Sequence, residues 1–321
     1  MIVYLTTCFT KNLKNILKDS SSIIKNDDFC NLLGGLVSYA VLNEKEFKRI
    51  LTVFRNVFVD SGAFTFHRFP EDKKKKKGIE GYINFICKNQ IKIYSNYDVL
   101  GDAKKTLINQ KIMETYGLNP LPCYHYGDNV KYLKYYLDRY DYISLGGLVI
   151  KDRRGLVNWM DDLFLKNIVD SQGNPRWKIH GFGIGSYFLM LRYPWYSVDT
   201  TKALLIASKG RIIVNRGINL DNYFQKPVVI SIGVRTPKNY ATSSDFIKNI
   251  LNQYFDLYKI PIGKTIWVDK KEKILVAGIT NQRDYRLFAN IIYFYGFVKK
   301  FESIKQRRKN PLRKSLRIKG L

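Results

Sequence analysis

The sequence predicts an α/β fold: a (β/α)8 TIM barrel, a small C-terminal α/β extension and a basic tail. Two observations lead to this fold class. Short apolar runs that end in turn residues recur along the chain, and several are separated by segments with helical periodicity. Alternating strands and helices indicate parallel βα units, and about eight such units fit a closed barrel. A doubly wound open sheet is the alternative, but no phosphate-binding glycine motif opens a first helix.

The predicted strands are rich in β-branched and aromatic residues, which suit a pleated sheet. They cover residues 2–6, 35–42, 57–60, 91–98, 120–125, 142–147, 177–183, 195–200, 211–215 and 228–233. Helices are predicted at 104–117, 129–140 and 155–170. The first of these ends in Gly117, a residue type typical of a helix C-cap.

Three regions are expected along the chain: the barrel at 1–240, the extension at 241–300 and the tail at 301–321. The extension is predicted to contain two helices that flank a strand pair. Their ranges are 243–258 and 284–298 for the helices and 264–269 and 273–278 for the strands. The tail is strongly basic and contains a proline, which predicts a flexible or loosely docked arm for nucleic acid.

The charge predicts a polyanionic partner. Lys and Arg number 54 against 27 Asp and Glu, a net charge of +27. Such a field attracts nucleic acid through its phosphates. A lysine run in a predicted loop is either a solvated face or a contact to the backbone of the nucleic acid. The expected backbone contacts are Lys73, Lys74, Lys75, Lys76, Lys77, Arg307 and Arg308.

The cysteines predict reduced thiols and no metal site. Cys8, Cys30, Cys87 and Cys123 lie far apart, and no pair has CxxC spacing. No apolar run has the length needed to span a bilayer, and the N-terminus does not resemble a signal peptide. We therefore expect no membrane partner and a location in the cytoplasm, that of the host if the protein is viral.

Acids and glycines follow the predicted strands. Asp60, Asp98 and Asp199 each close a run, His125 closes another, and glycines follow two more. In a barrel these strand ends meet on one face, where active sites are built. Three carboxylates in one mouth raise each other's pKa values, which suits acid/base and nucleophilic catalysis. Each acid by itself also fits an ordinary loop or cap.

Four segments, in this order, resemble motifs of the tRNA-guanine transglycosylases. VDSGAF (59–64) resembles the DSGGFQ motif of that family, and YISLGGLV (142–149) resembles its GGL motif. HGFGIG (180–185) resembles a glycine-rich segment, and YSVDTT (196–201) resembles the strand end that carries the nucleophilic aspartate. The stretch 208–222 is similar to the segment after that nucleophile, so the resemblance covers roughly residues 55 to 220.

The resemblance implies a role for each matched position. Asp199 is implied as the nucleophile at C1′ of the target nucleoside, and Asp60 as the general acid/base. Asp98 is implied to read the Watson–Crick edge of the base, and Phe64 to stack on it. The other base-binding residues implied are Ser61, Gly62, His125, Gly146, Gly147, His180 and Gly183. His125 stands where the family usually has glutamine. The target base must leave the helical stack to reach such a pocket.

The departures from the family decide the expected substrate. No cysteine follows Cys123, so the CxCxxC…H zinc motif is missing, and the first motif reads SGAF. The chain is also too short for the RNA-binding domains of the archaeal enzymes. These features resemble phage and bacterial relatives that insert 7-deazaguanine bases into DNA.

We therefore expect a DNA-guanine transglycosylase that exchanges guanine for a base such as preQ0 or preQ1. We expect it to use no cofactor beyond this co-substrate base. A monomer is expected, because the family's dimer uses the zinc region. The alternatives are exchange on tRNA, an N-glycosidase that only removes the base, or a non-catalytic nucleic-acid-binding barrel.

Overall fold

The described residues in the computed structural model are 1–6, 10–19, 27–42, 44–68, 78–150, 152–215, 226–232, 239–268 and 273–305. An eight-stranded parallel sheet forms their centre, curls into part of a barrel and is flanked by helices. Its strands are β1 (Ile2–Thr6), β2 (Leu33–Ser38), β3 (Val57–Asp60), β4 (Ile93–Tyr94), β5 (Cys123–His125), β6 (Tyr142–Gly146), β7 (Lys178–Gly181) and β8 (Ser197–Thr200).

The helices alternate with these strands for most of the chain. They are α1 (Lys11–Asp19), α2 (Asp27–Leu32), α3 (Glu44–Leu51), α4 (Ala63–Arg68), α5 (Ile79–Lys88), α6 (Ala103–Thr115), α7 (Val130–Leu137), α8 (Arg153–Leu163), α9 (Tyr187–Arg192), α10 (Lys202–Ser208), α11 (Asp245–Leu257) and α12 (Arg283–Lys305). The first three strands are largely apolar, as expected of a parallel sheet that is covered on both faces.

The strand order is β4-β3-β2-β1-β8-β7-β6-β5, and every neighbouring pair is parallel. Each strand therefore lies beside its sequence neighbour, and β1 pairs with β8. This order confirms the predicted α/β class with parallel βα units and is consistent with a TIM-like fold.

The predicted closure of the barrel is not confirmed, because the ladder is interrupted between β4 and β5. These strands meet at one isolated parallel bridge, Ser95 to Leu121. The Leu121 amide donates to the Tyr94 carbonyl at 2.9 Å, and the Asn96 amide donates to the Leu121 carbonyl at 2.9 Å. Pro122 comes next and has no N–H to extend the ladder.

Several predicted elements end earlier than the apolar pattern suggested. β2 stops at Ser38 and continues as a 3-10 turn, Tyr39–Val41. β4 covers two residues of the predicted 91–98. After it, the Ser95 amide still donates to the Val59 carbonyl of β3, whereas the Asn96 amide donates to the Leu121 carbonyl before β5. α8 gives way to a π-turn at Phe164–Ile168, which buries the two residues at its ends.

The helix ends follow the capping chemistry of the sequence. Asp102, Asn129 and Asp152 each accept an amide hydrogen in the first turn of α6, α7 and α8, at 2.8, 3.0 and 2.9 Å. Gly117 follows α6 with φ +72°, and its amide donates to the Glu114 carbonyl. The predicted glycine cap is therefore confirmed.

Two further strand pairs lie outside the parallel sheet. β9 (Arg211–Val214) pairs antiparallel with β10 (Val228–Ser231), and β11 (Lys264–Trp267) pairs antiparallel with β12 (Lys273–Val276). The run at 211–215 is therefore a strand, as predicted, but not part of a parallel βα unit. The strand pair predicted in the extension is confirmed.

The long helix α12 packs against α1, α10 and β9. Asn290 is fully buried there, where it accepts from the Ile213 amide at 2.8 Å and donates to the Ala203 carbonyl at 2.9 Å. The helix extends to Lys305, so the tail predicted from residue 301 begins as ordered helix. Glu302 on this stretch pairs with the amino group of Met1, which anchors it. The rest of the tail lies outside the described residues.

In the described part of the chain, no helix combines the length and apolarity that crossing a membrane requires. The domain boundaries at 240 and 300 stay a prediction.

Candidate active site

The carboxyl ends of the parallel strands bring the predicted acids to one edge of the sheet. Asp60 ends β3, Asp98 follows β4, and Asp199 lies in β8. The three carboxylates also influence one another electrostatically. Burial of the carboxyl group, together with the charges of Asp98 and Asp199, raises the pKa of Asp60 to about 8. The Gly62 amide, which donates to Asp60 Oδ2 at 3.1 Å, opposes the shift.

The loop after β3 holds its shape through buried polar contacts. The Ser61 hydroxyl donates to Asp98 Oδ1 at 2.7 Å, and the Ser61 amide donates to the Ser95 hydroxyl at 3.0 Å. Gly62 has φ +94°, and a Cβ there would lie 2.2 Å from the Cβ of Ala40. The predicted Ser61 and Gly62 thus shape the β3 loop, and Ser61 also fixes Asp98. Phe64 on α4 is 52% exposed, so its ring faces solvent at the same edge.

The ends of β3 and β4 are braced from below by Tyr82 on α5. Its hydroxyl lies 3.0 Å from the carbonyls of both Val59 and Ser95. The side chain is fully buried, so the two strand ends that carry Asp60 and Asp98 are fixed relative to each other. No feature of the local sequence around Tyr82 predicts this contact.

Asp98 is also held by His125 at the end of β5. Nε2 of His125 lies 2.9 Å from Asp98 Oδ2, and Nδ1 lies 3.4 Å from Asp128 Oδ2. Burial lowers the pKa of His125, but Cys123 and the contacts with Asp128 and Asp98 outweigh this effect, so the pKa is raised. The imidazole thus lies between two carboxylates and holds Asp98 in position.

Cys123 joins this cluster, although the cysteine spacing predicted no such role. Its sulfur lies 3.5 Å from His125 Nε2, and burial raises the pKa of its thiol. Ligand atoms of Asp98, Cys123 and His125 all lie within 4.8 Å of one another. The overlooked signal was the Cys-x-His spacing on a strand, since alternate residues point to the same face.

The glycines after β6 give the cluster its space. A Cβ on Gly146 would lie 2.6 Å from His125 Cδ2 and 2.8 Å from Cys123 Sγ. Gly147 has φ +69°, which turns the chain away from the strand. The predicted pair therefore permits close approach of the β5 side chains to the β6 backbone.

Asp199 is oriented by the glycine-rich loop after β7. The Gly183 amide donates to Asp199 Oδ1 at 2.8 Å, and the carboxylate is 7% exposed. Gly183 has φ +72°, a conformation that favours glycine. Gly183 was predicted to contact the base, and the structure places it as a donor to Asp199.

His180 lies beneath Asp199. Its Nε2 is 3.5 Å from Asp199 Oδ1, and its Nδ1 is hydrogen-bonded to Ser197 Oγ at 2.7 Å. Ser197 Oγ is in turn hydrogen-bonded to the Tyr142 hydroxyl at 2.6 Å. The ring is fully buried and stacks on Phe58, with centroids 4.7 Å apart. His180 was predicted to bind the base, and this stays a prediction; the structure places its Nε2 near Asp199 on the interior side.

A cavity of about 310 Å³ lies at the opposite, amino-terminal ends of β4, β5 and β6. Its lining includes Lys92, Tyr94, Arg139 and Tyr142. None of the predicted site residues borders it, so it is separate from the carboxylate edge.

The predicted nucleic-acid backbone contacts, Lys73 to Lys77 together with Arg307 and Arg308, lie outside the described residues. Their role stays a prediction.

No known family model matches this chain, and no curated protein is significantly similar to it. The resemblance to the transglycosylases therefore depends on the four motifs alone.

Proposed function

We propose that this protein is a guanine transglycosylase with a TIM barrel, acting on DNA. One observation carries the proposal: Asp60 has a pKa near 8 beside two other carboxylates, and one of these, Asp199, is held by a backbone amide and faces the same edge. Pairs of acids with different environments are typical of enzymes that transfer a glycosyl group.

The first step is attack on the sugar. A carboxylate oxygen of Asp199 forms a bond to C1′ of the target nucleotide, and the bond from C1′ to the guanine nitrogen breaks. The Gly183 amide donates a hydrogen bond to Oδ1 of Asp199, so Oδ2 is the oxygen left to attack C1′. Nε2 of His180 also lies 3.5 Å from Oδ1, on the interior side of the carboxylate. The departing guanine nitrogen takes a proton, and the neutral Asp60 is the donor near pH 7.

The second step reverses the first with a new base. The incoming 7-deazaguanine loses a proton to the Asp60 carboxylate, and its nitrogen forms the bond to C1′ while the Asp199 ester breaks. The ester retains the energy of the glycosidic bond, so the exchange requires no cofactor. In this proposal Asp98 and His125 read the base, and the exposed ring of Phe64 stacks on it.

The preference for DNA over tRNA comes from the sequence, in which no cysteine follows Cys123 and the first motif reads SGAF. The cytoplasmic location and the monomeric state belong to the same proposal.

The test is exchange of radiolabelled guanine into duplex DNA, single-stranded DNA and tRNA by the full chain. Label in DNA is the expected result, and label in tRNA alone would move the activity to tRNA. Free guanine without incorporation would make the protein an N-glycosidase. Asp199→Asn and Asp60→Asn should each lose exchange, while the exposed Asp162→Asn on α8 should keep it. Binding without any exchange or base release in the wild type would overturn the proposal.

A further inference from the structure

We infer that Asp98, Cys123 and His125 form a site for a soft divalent cation of the Zn²⁺ class. A nitrogen, a sulfur and a carboxylate oxygen converge there. His125 Nε2 lies 3.5 Å from Cys123 Sγ and 2.9 Å from Asp98 Oδ2, and all three residues are buried. Imidazole, thiolate and carboxylate are the ligand types that zinc takes in proteins.

The spacing is close to what coordination requires. Bonds of about 2.0–2.1 Å to nitrogen, 2.3 Å to sulfur and 2.0–2.2 Å to oxygen in a tetrahedron place nitrogen roughly 3.5 Å from sulfur and 3.3 Å from oxygen. The nitrogen–sulfur distance already has this value. The nitrogen–oxygen distance has to open by a few tenths of an ångström. Sulfur and oxygen are no more than 4.8 Å apart, against roughly 3.6 Å in such a tetrahedron.

Outer partners hold each ligand in place. Asp128 Oδ2 lies 3.4 Å from His125 Nδ1, which directs Nε2 toward the cation. Ser61 donates to Asp98 Oδ1 and leaves Oδ2 for the metal. Gly146 supplies the space beside both the ring and the thiol. A hydrogen bond between Asp98 and His125 alone gives Cys123 no role, whereas a cation uses all three.

Three protein ligands leave one position open, which is the pattern of sites that exchange a water or a substrate group. Binding displaces the thiol proton and the Nε2 proton to solvent. The cation is then bound by Asp98 and His125, the two residues that the proposed function assigns to recognition of the base. Resting on that function, Zn²⁺ is expected to inhibit exchange in competition with the incoming base. Metal binding itself does not depend on the proposed function.

Co²⁺ titration of the metal-stripped full chain tests the site without any activity measurement. The expected result is one Co²⁺ per chain with a thiolate charge-transfer band in the near ultraviolet, displaced by one Zn²⁺. Cys123→Ser should lose the band and bind Zn²⁺ at least 10-fold more weakly. The control variant Cys87→Ser, at an exposed cysteine, should keep the charge-transfer band and the wild-type affinity for Zn²⁺. Asp128→Asn retains an acceptor for the His125 amide and should lower the affinity for Zn²⁺ by about 10- to 100-fold.

A wild-type spectrum without a thiolate band, or an unchanged band in Cys123→Ser, would overturn the site. If Cys123→Ser does not fold, as judged by circular dichroism, the wild-type spectrum and Asp128→Asn decide. Metal binding with no base exchange on any nucleic acid would leave the site standing and remove the proposed function. Exchange that Zn²⁺ does not inhibit, despite stoichiometric binding, would remove only the inhibitory role.

Discussion

Asp60 is expected to make the stability of this protein fall as the pH rises from about 4 to about 8. Its pKa is about 8 in the folded protein and 3.8 by reference, mainly because the folded protein buries the carboxyl group. Between these values the folded chain keeps a proton that the unfolded chain has released. The stabilising contribution is therefore complete below pH 4 and is lost as the pH passes through 8. Asp60→Asn removes this dependence.

The magnitude follows from the shift. One pKa unit corresponds to about 1.4 kcal/mol, so a shift of about 4 units sets an upper limit of roughly 6 kcal/mol. Asp60 is partly exposed, and solvent reduces the effect, so we expect a loss of a few kcal/mol. In Asp60→Asn a neutral amide of the same shape replaces the carboxyl group. The stability of this variant therefore increases relative to that of the wild type as the pH rises.

Urea unfolding at pH 5 and pH 8.5 measures this difference. Between the two pH values, the free energy of unfolding of the wild type should fall by a few kcal/mol more than that of Asp60→Asn. Asp162→Asn should follow the wild type because this acid is exposed. Equal pH dependence in wild type and Asp60→Asn would refute the assignment of a neutral, buried carboxyl.

Two further predictions concern the scaffold around the site. Gly62→Ala should destabilise the protein more than Gly101→Ala does. Both positions have a positive φ, +94° and +81°, so both variants share a backbone strain of about 1 kcal/mol. Only at position 62 does the new Cβ also meet another atom, at 2.2 Å from the Cβ of Ala40. Equal losses in urea unfolding would show that the loop yields at Ala40. Asn290→Ala should lower the free energy of unfolding by about 2–4 kcal/mol, because it leaves a β9 amide and an α10 carbonyl buried without their partner; a loss below 0.5 kcal/mol would mean that water replaces the amide.

The strand ends were predictable because the acids interrupt apolar runs. VFVD at 57–60 has the same bounds in sequence and structure. The run at 195–200 likewise contains β8, with Asp199 near its end. An apolar run does not specify its partner, however, so the antiparallel pairing of β9 with β10 could not be read from the pattern. The end of β4 lies beside Leu121, which is distant in the chain.

The contacts that tune the site depend on distant parts of the chain. Ser61 meets Asp98 across 37 residues, and Tyr142 meets Ser197 across 55. Such pairs follow from strand order and cannot be derived from local spacing. The buried position of His180 depends in the same way on Phe58 from another strand. The role of Cys123 was accessible in principle, since it shares one strand face with His125.

Asp199 is proposed to form a covalent bond to C1′, and intact-protein mass spectrometry detects such a bond without an activity assay. The full chain is incubated with a guanine-containing oligonucleotide, without an incoming base, and denatured. We predict an adduct of one oligonucleotide per chain, mapped by proteolysis to the peptide that contains Asp199, absent in Asp199→Asn and present in Asp162→Asn. An adduct on another residue, or base exchange at the wild-type rate by Asp199→Asn, would contradict the account.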